Sequence, residues 1–119
     1  MGDGIWEGLR INKEKWLFFD EHMERLYAAL KAVEIEISLT KEDVHCELEK
    51  TRLANSMETD AYARLMITRG KKSKAFQHPG FSIFGSTFVI IMEHSRPELD
   101  SSKEGIKLVT VPQMRGQPM

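Results

Sequence analysis

Two stretches of strict alternation, residues 5–11 and 61–69, enclose two amphipathic helical stretches, and that order is what most limits the fold. In the first, Ile5, Glu7, Leu9 and Ile11 fall on one side and Trp6, Gly8 and Arg10 on the other, the period-two pattern of a strand with two unlike faces. In the second, Ala63, Leu65 and Ile67 oppose Tyr62, Arg64, Met66 and Thr68. Between them Met23, Leu26, Tyr27, Leu30 and Val33 recur at helical spacing, with Asp20 placed as an N-cap. Thr40 and Asp43 then form a box-like start to a second helix, which carries Val44, Leu48 and Thr51 on a weaker stripe. Helices that follow one another between strands, instead of alternating with them, imply an α+β fold with two helices packed on a mainly antiparallel sheet.

The remaining segments fill in the order. Residues 15–19 carry apolar and aromatic side chains after a short polar break, which suggests a hairpin with the first strand. Residues 55–60 are polar and loop-like. The stretch 70–85 is long and uneven, with Lys71, Lys72 and Lys74 followed by His78, Pro79 and Gly80; loops of that length are often binding or lid segments. Thr87–His94 is a nearly continuous apolar run, as expected of a central strand. A polar linker over 95–104 precedes a last strand at 106–111, and 112–119 has no period and reads as a linker. The expected order is β-β-α-α-β-β-β.

Bulk properties exclude several functions. A chain of 119 residues suits one domain, and a formal net charge of -1 gives no reason to expect a nucleic-acid or anionic-membrane partner. Cys46 is the single cysteine, so no intramolecular disulfide can form, and it is expected to be inert in a reducing, cytoplasmic compartment. No apolar run approaches the roughly 20 residues of a membrane span, and the start has no signal-peptide pattern. His22, His45, His78 and His94 stand singly, without metal-ligand spacing. No phosphate-binding glycine loop or serine nucleophile elbow is present. Arg10 and Arg64 share strand faces with Trp6 and Tyr62: each is either a strand charge reaching water or a clamp for carboxylate or phosphate, to which the guanidinium fork is suited. Arg25 by itself reads as a solvated helix charge.

A resemblance shifts that balance. Gly2-Asp3-Gly4-Ile5-Trp6-Glu7-Gly8-Leu9-Arg10 resembles the Gly-Asp-x-(hydrophobic)-(aromatic)-Glu-Gly-(Ile/Leu)-Arg stretch of class IV (fold type IV) pyridoxal-phosphate aminotransferases. Glu21-His22-Met23-Glu24-Arg25-Leu26 is similar to that family's Glu-His-(apolar)-x-Arg-Leu signature. Residues 61–70 look like its Ala-Tyr-x-Arg strand, and 109–111 with Arg115-Gly116-Gln117-Pro118 like the strand and Arg-x-x-Pro segment before its large domain. The resemblance implies that Arg25 binds the phosphate of pyridoxal 5'-phosphate. It also places Trp6, Tyr62 and Arg64 at the substrate pocket, with Gly8 and Arg10 close to it, and leaves His22 a structural hydrogen bond. It implies amino acid and 2-oxo acid substrates and a homodimer. The motifs look more like branched-chain aminotransferases than D-amino acid aminotransferases or aminodeoxychorismate lyases. Residues 1–111 would be the small N-terminal domain, shortened at its start, and 112–119 the interdomain linker. The catalytic lysine and the carboxylate partner of the pyridine nitrogen would belong to a large domain beyond Met119, so no catalytic residue is assigned and the chain alone is expected to be inactive. The alternatives are a non-catalytic interaction domain, associating through Thr87–His94, and an inactive fragment.

Overall fold

The computed structural model describes residues 4–76, 78–96, 103 and 105–112. Strand β1 (Gly4–Asn12) and the very short β2 (Lys15–Trp16) are followed by helices α1 (Phe19–Ala32) and α2 (Lys41–Ala54). Strand β3 (Ala61–Thr68), a 3-10 turn (Pro79–Phe81) and strand β4 (Thr87–His94) complete the regular elements. The sheet has four strands in the order β2-β1-β3-β4, and every neighbouring pair is antiparallel. The α+β class with two helices on an antiparallel sheet is therefore as the sequence implies.

Alternation decides which face is covered. Leu9 and Ile11 on β1, and Ala61, Ala63, Leu65 and Ile67 on β3, are all buried. Their register pairs Leu9 with Ala63 and Ile5 with Ile67, so one face is a continuous apolar surface. Met23, Leu26 and Leu30 of α1 and Val44 and Leu48 of α2 pack onto it as the main core. Ala63 lies within that main core, and Ala61 packs with Ile11 and Met57 in a smaller cluster beside it. Helix α2 starts with a capping box: the Thr40 hydroxyl accepts from the Asp43 N–H at 3.1 Å, and the Asp43 carboxylate accepts from the Thr40 N–H at 2.9 Å. Those hydrogen bonds, the backbone one first, hold the Asp43 carboxyl below its ordinary pKa.

Five local expectations are corrected. Asp20 is not the cap of α1; the capping position is Phe18, in the left-handed region at φ 54°, with no side-chain hydrogen bond. The chain turns into the helix straight out of β2, as the Leu17 N–H donates to the Arg10 carbonyl, and Asp20 and Glu21 sit in the first turn, where the helix dipole favours acids. Residues 17–19 accordingly leave the sheet, and β2 ends at Trp16. Trp16 is fixed by its indole N–H donating to Glu49 Oε1, while Arg52 donates to the same carboxylate, tying β2 to α2. Val33 falls at the C-cap and is partly exposed; Arg69 caps that end by donating to the Val33 and Glu34 carbonyls at 2.7 and 2.8 Å. Finally, Thr87–His94 is the outermost described strand and not a central one, and 106–111 forms no strand: Ile106, Leu108, Val109 and Val111 are exposed. An apolar run needs a backbone partner as well as a buried face to be central, and pairing is invisible in the run itself.

The described residues of 70–85 form the long irregular segment that the sequence suggests. Its ends meet at Gly70 and Gly85, where a Cβ on Gly70 would stand 1.7 Å from the Gly85 carbonyl oxygen. Inside it the Ser73 N–H donates to the Phe81 carbonyl, and Lys71 and Lys74 lie over the Phe84 and Phe81 rings. The linker over 95–104 and the tail 112–119 fall largely outside the described residues, as do Gly2, Asp3 and the Arg115-Gly116-Gln117-Pro118 motif.

Candidate functional site

The second face of the sheet is bare among the described residues, and the candidate residues stand on it. Register places Trp6 opposite Met66, Gly8 opposite Arg64 and Arg10 opposite Tyr62, with Ile91 and Glu93 of β4 continuing the rows beyond Arg64 and Tyr62. Antiparallel neighbours share a face, so Trp6, Gly8, Arg10, Tyr62 and Arg64 converge by backbone geometry alone.

Each makes a specific contact. Tyr62 lies across Gly8: a Cβ added there would sit 2.4 Å from the tyrosine hydroxyl and 2.9 Å from its ring. The glycine is the space the tyrosine fills. The Arg64 guanidinium stands over the Trp6 indole at 5.3 Å from the ring centroid, leaving both side chains exposed. Arg10 reaches across two strands, donating through Nη1 to the Ser95 carbonyl at 2.7 Å. Gly8, Arg10 and Tyr62 line a cleft of about 260 Å³ with Leu17, Phe18 and His22. Trp6 and Arg64 border the same face without lining that cleft.

Arg25 stands apart from that face, on exposed helix surface, and is held by a residue that sequence reasoning assigned no role. Glu7 lies on the covered face between apolar neighbours and is only 4% exposed. Its Oε1 accepts from Arg25 Nε at 2.7 Å, and its Oε2 accepts from Arg25 Nη2 and pairs with His22 Nδ1 at 2.8 Å. Burial pushes the Glu7 carboxyl up, but the hydrogen bonds and charges of Arg25 and His22 outweigh it, and its pKa lies below the ordinary value. The same pairing raises that of Arg25. His22 thus makes the structural hydrogen bond expected of it while lining the cleft. The available signal for Glu7 was a lone carboxylate among the inward positions of an alternating strand, a place where a charge is costly unless paired.

A pH dependence follows. A carboxylate whose folded pKa is depressed contributes stability above its unfolded pKa, and this is lost as pH falls through the folded value. Glu49, lowered by the Arg52 hydrogen bond, acts in the same direction. Thermal stability is expected to hold from neutrality down to about pH 5 and to fall below about pH 4. Circular dichroism melts across that range, with Glu7→Gln alongside, check this; parallel acid slopes in the two proteins would exclude Glu7 as a contributor.

No group of histidine, cysteine, aspartate or glutamate side chains among the described residues is arranged to hold a metal ion. No described helix is long and apolar enough to cross a membrane. Cys46 is free and exposed on α2.

Fold and cleft together define a two-layer α+β domain whose bare sheet face carries arginines and aromatics around a glycine. The chain belongs to the amino-transferase class IV family, which it matches over residues 4–119. It is 35% identical to branched-chain-amino-acid aminotransferase-like protein 1 of Arabidopsis thaliana over 98% of this chain and 21% of that protein. It is also 35% identical to a D-alanine aminotransferase of Listeria monocytogenes, over 58% of this chain and 24% of the relative. Its fold is similar to that of the branched-chain amino acid aminotransferase of Escherichia coli, with a TM-score of 0.64 and 20% identity, over 77% of this chain and 31% of that one. The chain thus spans about a fifth to a third of the length of these proteins.

Proposed function

We propose that this chain is the small domain of a pyridoxal-phosphate aminotransferase acting between an amino acid, branched-chain by preference, and a 2-oxo acid. On this reading 1–111 form the domain, 112–119 lead out of it, and the remaining length of the protein completes the site. The observation that carries the proposal is the convergence of Trp6, Gly8, Arg10, Tyr62 and Arg64 on one sheet face, where His22, three residues before Arg25 on α1, lines the cleft.

The residues fit a phosphorylated cofactor. Arg25 is exposed, Glu7 engages its Nε and Nη2, and Nη1 has no partner among the described residues. A guanidinium oriented in this way offers forked donors to a phosphate. Once bound, the cofactor supplies an electron sink for carbon–nitrogen chemistry. The chain's own side chains orient what reacts: Arg25 holds the phosphate, Arg64 takes the substrate carboxylate, and Trp6 and Tyr62 wall the pocket against water. Arg10 is tied to Ser95 and braces the cleft floor.

In the protein that carries this domain, Arg25→Ala is expected to weaken cofactor binding about 10- to 100-fold, the worth of hydrogen bonds to a charged group. Equilibrium dialysis against pyridoxal 5'-phosphate reads it, and unchanged affinity would remove Arg25 from the site. Transfer on a D-amino acid is the second reading, favoured by the Listeria relative over a shorter stretch of chain. Turnover of L-leucine against D-alanine separates the two.

A further inference from the structure

Glu7 occupies a position where an apolar residue would serve the core better. Its covered-face neighbours on β1 are Leu9 and Ile11, both buried, and half-buried Ile5, and its register partner is fully buried Leu65. A carboxylate here gives up hydration that only hydrogen bonds can replace. Arg25 Nε and Nη2 and His22 replace it, and both oxygens are engaged. With Nδ1–H of His22 donating to Oε2, the 3.4 Å approach of Arg25 Nη2 to that ring nitrogen sets two donors side by side and is no hydrogen bond.

We infer that Glu7 is a positioning residue: it locks the plane of the Arg25 guanidinium so that its outer edge is aimed at an anion. Two contacts to one buried carboxylate fix a plane that a flexible, otherwise exposed arginine would not hold. Glu7 engages the Nε–Nη2 edge and leaves Nη1 facing outward. The arrangement runs against simple charge attraction, because Glu7 cancels the charge of Arg25 beside the place where an anion would bind. Orientation and attraction therefore make opposite forecasts for the same substitution, and this makes the inference decidable. It rests on the reading of Arg25 as a phosphate-binding group.

The experiment uses the 119-residue chain at pH 7 with inorganic phosphate as the probe, following the Arg25 Nε–H resonance by NMR. In the free wild-type chain, that proton is expected to exchange with water more slowly than the Nε–H of exposed Arg64. Phosphate should shift the Arg25 resonance. Glu7→Gln is expected to speed the exchange and to weaken phosphate binding about tenfold, despite the loss of a negative charge beside the anion. Tighter or unchanged binding in Glu7→Gln, with Arg25→Ala still abolishing the response, overturns positioning and leaves the phosphate reading standing. A response that survives Arg25→Ala, or no response in the wild type, overturns that reading and the inference with it. Should Glu7→Gln fail to fold, exchange in the wild type decides: an Arg25 Nε–H as fast as that of Arg64 means that the guanidinium is not held.

Discussion

Leu65→Ala is expected to destabilise the domain by about 2–5 kcal/mol, the range for removing a buried leucine from a packed core. Leu65 has no solvent exposure and sits on β3, which is paired on both sides, opposite Glu7 on β1 and Ile90 on β4. The sheet backbone there is held by two ladders, so it cannot move inward to fill the space. Ala61 and Ala63 on the same face are already small, which leaves the burden of filling the layer on Leu9, Leu65, Ile67 and the helix side chains. The missing atoms would leave a void beside the Glu7 carboxylate, so the loss should lie toward the upper end. Urea unfolding followed by circular dichroism should show a lower midpoint with an unchanged slope. A loss below about 1 kcal/mol would mean that the helices collapse onto the site and the core is plastic there.

The same layer shows what the sequence discloses and what it withholds. Alternation at 5–11 and 61–69 assigns the two faces correctly because a strand's period follows from its backbone, whatever surrounds it. Thr40 and Asp43 announce the start of α2 for a similar reason: a capping box lies within four consecutive residues. Features that need a distant partner are different. Thr87–His94 reads as central because Phe88 to Met92 are all apolar, yet β4 has one described neighbour, and Ile91 stands half-exposed on the bare face. Residues 106–111 carry strand-forming side chains and have no strand partner among the described residues. Arg25 is legible as a candidate only through the family resemblance, and Glu7, which holds it from 18 positions earlier, shows in the sequence only as a lone carboxylate among inward positions, its partner appearing only in the fold. Gly8 lies between these cases. The resemblance marks it as close to the pocket, but its physical role, making room for Tyr62, appears only once the register is known.

That role makes Gly8→Ala the sharpest probe of the site's architecture. A single methyl group would meet the Tyr62 hydroxyl at 2.4 Å and its ring at 2.9–3.0 Å, distances at which something must shift. The backbone of β1 is held by eight paired positions on β3 and is a poor candidate to move; the tyrosine has a bare face to swing across. Gly8→Ala is therefore expected to displace Tyr62 from the cleft and to cost about 1–3 kcal/mol, as for overpacking elsewhere. The discriminating comparison is the double variant. With Tyr62→Ala already present the three atoms nearest the added methyl group are gone, so the cost of Gly8→Ala should fall to a few tenths of a kcal/mol. Thermal melts of the wild type, the two single variants and the double variant give the coupling directly. An equal cost in both backgrounds would show that the penalty arises in the β1 backbone. A large coupling would identify Gly8 and Tyr62 as one unit, with the pocket wall set by a side chain that exists in that position because its neighbour has none.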